Sequence, residues 1–240
     1  LTTQSSDRSA TLPAWLFPAL VAGLLLGASH LGLLVSFLRG EVTSLVPHLD
    51  GSVSVSKACR KEPAVHLFRA LVLPSAPLLA LTWWLAAGWL RARALAGPRL
   101  ARALLLLGLA GALFLVLYAT YLGTDGATYR LMRRYGVYVF FAGTSLAQLL
   151  LTVALSRARA RLSTLTPGLL RVFRTSIVFQ LAAGPLNIVA GRIIDRERVA
   201  DALEWWFALA MGVVLVALAV LWRREGLRLG PLRAPEPSAR

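Results

Sequence analysis

The sequence predicts an all-α membrane protein: a polytopic bundle of six transmembrane helices with one longer loop after the first. Three observations carry that prediction. Hydrophobic residues make up 57% of the 240-residue chain and the mean hydropathy is +0.66, whereas soluble domains are about 45–50% apolar. The apolar residues gather into six stretches. Each is close to the roughly 20 residues a helix needs to cross a hydrocarbon core of about 30 Å, at about 1.5 Å per residue. The segments between them are mostly short and hold most of the Lys and Arg.

The first span, Leu16–Leu38, contains no Asp, Glu, Lys or Arg, and His30 is its only ionisable residue. The chain before it opens polar (Thr2, Gln4, Ser5, Asp7, Arg8) and is poor in positive charge. The apolar stretch is also longer than a signal-peptide core, so it is read as a retained helix. Residues 1–12 are then an N-terminal tail, and 13–222 a single six-helix domain. In the long first loop (Gly40–Val65), Ser52-Val53-Ser54-Val55-Ser56 alternates polar and apolar residues, the pattern of a short strand. Cys59 is the only cysteine, which excludes an intrachain disulfide. It is read as an ordinary loop residue, not a lipidation or thiol site.

The remaining spans are expected at Ala70–Leu90, Ala103–Leu122, Gly136–Leu155, Thr175–Ile194 and Trp205–Trp222. The fifth is the weakest, because Gln180, Pro185 and Asn187 interrupt it, and Pro185 frees a carbonyl that a neighbour must satisfy. Gly23-xxx-Gly27, and Gly143 with Ala147, are read as places where helices pack closely. Residues 223–240, with Pro231, Pro235, Pro237 and scattered Arg, read as a disordered basic tail lying near anionic headgroups.

The 26 Lys and Arg outnumber the 11 Asp and Glu, for a net charge of +15. The basic residues punctuate the ends of apolar segments, so nucleic acid is not the expected partner. Fifteen of them fall in the N-terminal tail, the second and fourth loops and the C-terminal tail; eleven fall on the opposite side. Cytoplasmic flanks are richer in Lys and Arg, so both termini are expected in the cytoplasm and loops one, three and five on the other side.

Polar groups near hydrocarbon need partners, which makes them the natural candidates for function. His30, Ser36, Arg69, Ser75, Tyr118, Tyr121, Asp125, Tyr135, Tyr138, Asn187 and Glu204 all fall toward the non-cytoplasmic ends of their spans. The aromatic residues alone would suit an interfacial belt. The candidate substrate-binding set is Arg69, Ser75, Asp125 and Glu204. His48 and Asp50, two apart in Pro47-His48-Leu49-Asp50-Gly51, are the catalytic candidates as a base and its orienting acid. Arg69 suits a phosphate, because its planar fork gives bidentate charge-assisted hydrogen bonds. The dipole of its own helix disfavours it. It is therefore expected to pair with Glu204, Asp125 or Asp50, directly or through water, or with a lipid phosphate. The chain has no HExxH, no Gly-x-Ser-x-Gly and no metal-ligand spacing among its three histidines, so no metal or cofactor is expected.

Several runs together resemble the Frag/DRAM/Sfk family of six-helix membrane proteins. These are Val46–Ser52 after the first span, Val65-His66-Leu67-Phe68-Arg69 with Pro74-Ser75-Ala76-Pro77, Leu115–Tyr121, Tyr138–Leu146 and Ala202-Leu203-Glu204-Trp205. The chain looks most like the branch of post-GPI-attachment-to-proteins factor two. It departs from that branch where Pro74 and Gln148 stand at positions that tend to be histidine. The resemblance implies lipid-related work such as remodelling the lipid of a GPI anchor. The Leu/Ala/Arg-rich composition suggests a GC-rich, bacterial gene, and a host without GPI anchors would present a different lipid. Two readings follow. One is a protein that handles or remodels a membrane lipid at the outer-leaflet side. The other is a non-catalytic scaffold or regulator that docks partner membrane proteins. A channel is third, since few spanning positions are charged.

Overall fold

The computed structural model describes residues 11–229 and is almost entirely helical. Its elements are β1 (Leu12–Pro13), α1 (Leu16–Leu38), α2 (Pro47–Asp50), α3 (Val55–Ala58), α4 (Ala64–Ala92), α5 (Pro98–Tyr121), α6 (Ala127–Arg157), α7 (Pro167–Ala190), α8 (Arg196–Arg224) and β2 (Arg228–Leu229). A single 3-10 turn, Arg159–Arg161, lies in the α6–α7 loop. Six helices, α1 and α4 to α8, are long and apolar enough to cross a membrane. The chain is an integral, multi-pass membrane protein.

The six spans pack as a ring in the order α1, α4, α5, α6, α7, α8, with α8 closing back on α1; α6 and α7 form its least packed seam. The α5–α6 pair is the tightest, and glycine is the reason. A Cβ on Gly143 would stand 2.8 Å from the Leu107 carbonyl oxygen and 3.1 Å from the Gly111 nitrogen, and one on Gly136 would stand 2.7 Å from the Tyr118 nitrogen. Ala147, read with Gly143 as a packing position, is fully buried. Gly23 and Gly27 differ from expectation: nothing lies within 4 Å of a Cβ at either, so that pair faces outward and mediates no close approach.

Several boundaries move outward from the apolar cores, because helices continue past the hydrocarbon on their own hydrogen bonds. α4 starts six residues before Ala70, α6 nine before Gly136 and α8 nine before Trp205. Arg69 and Glu204 therefore lie inside their helices and do not start them. The fifth span runs Pro167–Ala190, earlier than expected, with Pro185 inside it. No strand forms at Ser52–Ser56. Val53, Ser54 and Val55 are all buried, which defeats a two-faced alternation, and Ser54 accepts the Lys57 N–H to cap α3.

Residues 223–229, expected to belong to a disordered tail, are ordered. α8 continues to Arg224, and Arg228–Leu229 pairs antiparallel with Leu12–Pro13. Residues 1–10 and 230–240 lie outside the described residues. The short ladder puts both ends of the described chain on one face of the bundle, the termini face; α2 and α3 lie on the opposite, loop face. Glu225 ties the termini face together, accepting from Arg93 at 3.1 Å and from the Thr164 hydroxyl.

Adding a side chain at Gly143 must separate α5 from α6. Gly143→Val is expected to lower stability by about 1–3 kcal/mol, the usual cost of overpacking. Gly23→Val, pointing into open space, should leave the midpoint of thermal unfolding in detergent unchanged.

Candidate functional site

Helix α8 organises the loop face. Glu197, Asp201 and Glu204 follow each other by four and three residues, so they share one face of the helix. The first loop docks onto that face. Lys57 Nζ donates to Asp201 Oδ2 at 2.9 Å and lies 3.8 Å from Glu197. The bond to Asp201 raises the Lys57 pKa above its ordinary value, against the opposing effect of burial. Half-exposed as it is, such a pair contributes at most about 1 kcal/mol.

The aromatic residues that follow Glu204 hold the loop by its backbone. Trp205 Nε1 donates to the Val53 carbonyl and Trp206 Nε1 to that of His48, both at 2.8 Å. Gly51 lies against the Arg198 carbonyl at a φ of +58°, a position that only glycine fills without strain or clash. From the other side, Ser36 of α1 donates to the Ala58 carbonyl at 2.6 Å, and the Cys59 side chain fills the notch at Gly32. Cys59 is thus a buried anchor and no spectator. Burial pushes its thiol up to about 12, which keeps it protonated and unreactive.

Glu204 sits immediately before the apolar run Trp205–Trp222 and needs partners there. Its Oε1 accepts the Ser56 backbone N–H at 3.2 Å and the Ser56 hydroxyl at 3.3 Å. Ser56 Oγ is in turn 2.9 Å from the Tyr118 hydroxyl on α5. The result is a chain of three side chains, Glu204–Ser56–Tyr118, spanning α8, α3 and α5. Glu204 separates two spaces. On one side, at the ring centre, is an apolar cavity of about 50 Å³ walled by residues such as Phe68, Leu115 and Met211. On the other is a groove of about 420 Å³ between α6 and α7, with α8 as its floor. Val137, Tyr138, Phe141, Leu203 and Phe207 make its walls apolar, while Ser56, Glu204 and Asn187 supply its polar groups. The Asn187 Oδ1 is buried with no hydrogen-bond partner among the described residues.

The groove exists because α6 and α7 are held together elsewhere. Gln180 donates to Gln148 at 2.9 Å, and Gln148 donates to the Met211 carbonyl of α8 at 3.0 Å. Arg174 donates to Ser156 nearer the termini face. Beyond the glutamine pair toward the loop face, Ala183 and Gly184 leave α7 without bulk on this side and the groove begins.

The candidate residues do not converge on one pocket. Arg69 makes no direct ion pair among the described residues, so the direct arm of the expected acidic pairing is not what holds it. Its guanidinium donates to the carbonyls of Ala119 (3.2 Å) and Leu122 (2.6 Å) and to the Thr124 hydroxyl (3.3 Å). These carbonyls are the unsatisfied acceptors at the C-terminal, negative end of α5, and a cation there is favoured by the dipole of that neighbouring helix. Asp125 shares a pocket of about 560 Å³ with Arg69, Arg60, Lys61, Glu62 and His66 but makes no ion pair with Arg69. Ser75 is fully buried and bonds the Val72 carbonyl of its own helix.

Asp50 is exposed and no hydrogen bond joins it to His48. It accepts the Ser52 N–H, and the hydrogen bonds from Ser44 and Ser52 hold its carboxyl below the ordinary value. His48 instead stacks on His30 at 5.4 Å and packs against Trp205 and Trp206. Burial, then His30, lower its imidazole from 6.5. Sequence reading missed Ser56, Lys57 and Asp201. The i, i+4, i+7 acidic face of α8 was the available signal for Asp201; nothing local marked Ser56. Among the described residues no cluster of His, Cys, Asp or Glu has metal-binding geometry.

No family model, curated protein or solved structure matches the chain.

Two outcomes test this geometry. Arg69→Ala removes the donors to two helix-end carbonyls and should cost about 1–3 kcal/mol of stability, read by thermal unfolding. A lowered His48 pKa means the docked loop favours the neutral ring. Docking should therefore be complete above pH 6.5 and weaken as the pH falls from there toward the depressed value. Tryptophan emission from Trp205 and Trp206 should follow that loss, and His48→Gln should flatten the profile.

Proposed function

We propose that this protein handles or remodels a membrane lipid on its loop face, drawing it sideways from the bilayer into the groove between α6 and α7. The Lys and Arg bias favours placing that face away from the cytoplasm, with both termini cytoplasmic. One observation carries the reading: an apolar groove of about 420 Å³ ends at a hydrogen-bonded polar chain, Glu204–Ser56–Tyr118, at the edge of the hydrocarbon. Ligand sites commonly have this composition, apolar walls with a few convergent polar groups. A lipid fits the arrangement by chemistry and depth. Its acyl chain would lie along Phe141, Leu203 and Phe207, and its polar linkage would meet Glu204 and Ser56. The resemblance to Frag/DRAM/Sfk proteins points to the same kind of work, including remodelling of a GPI-anchor lipid where the host has one. Arg69 and Asp125 lie in a separate pocket, where they would serve a headgroup.

The test is native mass spectrometry of the protein released from lipid nanodiscs, combined with lipid profiling of a deletion strain. A bound lipid and an altered profile are expected. Gly184→Phe, which adds a ring where a Cβ meets open space at the groove, should reduce lipid occupancy about tenfold, equivalent to about 1.4 kcal/mol. No bound lipid and an unchanged profile would reject the reading in favour of a scaffold.

A further inference from the structure

We propose that Ser56 is a nucleophile for acyl transfer, with Glu204 as its general base and the acyl ester of a membrane lipid as its substrate. The inference rests on the lipid reading above and adds a reaction to it. A serine hydroxyl is a weak nucleophile unless a neighbouring base takes its proton, and the two must lie within hydrogen-bond reach. Ser56 Oγ meets that condition, donating to Glu204 Oε1 at 3.3 Å. Its single proton is committed to Glu204, so the 2.9 Å contact with Tyr118 is one in which the phenol donates. Both groups line the groove or abut it, and their depth suits an ester. Glu204 is the last residue before the apolar run Trp205–Trp222, the level at which the carbonyls of acyl lipids sit, between headgroup and hydrocarbon.

In the first half-reaction the Ser56 hydroxyl proton passes to Glu204 as the Oγ–C bond forms at the acyl carbonyl. The ester C–O bond then breaks, and the departing alcohol takes the proton from Glu204. In the second, a hydroxyl from water or another lipid loses its proton to Glu204 and attacks the acyl-serine. The acyl group leaves on that oxygen, and the proton returns to Ser56. The Asn187 amide lines the same groove and is the donor available to the negative charge that builds on the carbonyl oxygen. A donor held in place before reaction costs no reorganisation when the charge appears.

Glu204 also accepts the Ser56 backbone N–H, so it has a structural role that any test must separate. Glu204→Gln does so, because glutamine keeps an acceptor for that N–H but is not a base. The protein in phosphatidylethanolamine/phosphatidylglycerol nanodiscs is treated with hexadecyl fluorophosphonate, whose phosphorus–fluorine bond an activated serine displaces, and the adduct is located by peptide mass mapping. One adduct per chain on Ser56 is expected. Labelling should slow about 100-fold in Glu204→Gln, the scale of general-base catalysis. Ser56→Ala should escape labelling. Labelling at another residue, none at all, or an unchanged rate in Glu204→Gln would overturn the proposal. If lipid is still bound in that case, the lipid reading survives; if none is bound, both fall.

Discussion

The loop face depends on one constraint: a carboxylate at the edge of hydrocarbon must be given hydrogen-bond donors. Glu204 lies where α8 enters its apolar run, and the helix itself offers no donor for its side chain. The first loop supplies them. To bring Ser56 to Glu204, that loop must fold inward, and much of its other chemistry serves the same end. Trp205 and Trp206 hold its carbonyls, Gly51 permits close approach to α8, Ser54 caps α3, and Cys59 and Ser36 fix the far side on α1. Local sequence and long-range packing agree here, which is what a single well-defined conformation requires.

The ring of spans then determines where a ligand can enter. The α5–α6 pair closes tightly because glycines let backbones touch, and the termini face is tied by Glu225. The α6–α7 seam is joined at its middle and termini side by Gln148, Gln180, Ser156 and Arg174. Toward the loop face α7 presents only Ala183, Gly184 and Asn187 to the seam, and it opens. Buried amides hold helices together in lipid because nothing else there can satisfy them. The same glutamines that stabilise the seam thereby define the lower limit of the groove.

Much of the architecture was legible in the sequence. Six apolar runs of spanning length gave six helices, and Leu16–Leu38 was placed to the residue. Helix ends were less legible, since polar residues such as Arg130, Arg133 and Arg196 extend helices beyond the hydrocarbon without a continuous apolar signature. The site was half legible. Glu204, Tyr118 and Asn187 stood out as polar residues beside apolar runs. Their partner Ser56 did not, because it sits in a loop whose alternation imitated a strand and whose value lies in a contact 148 residues away. Arg69 shows the opposite case. It was rightly singled out as needing a partner, but that partner is the backbone end of another helix, which no pattern of side chains announces.

The most direct test of this account is amide hydrogen exchange of the first loop in lipid nanodiscs. If Glu204, Trp205 and Trp206 dock the loop as described, the amides of residues 53–59 should exchange slowly, as spanning helices do. Glu204→Ala should then release that protection while leaving α5 and α6 unaffected. Fast exchange of residues 53–59 in the intact protein, or protection untouched by Glu204→Ala, would contradict the central claim that this carboxylate folds the loop and builds the polar end of the groove.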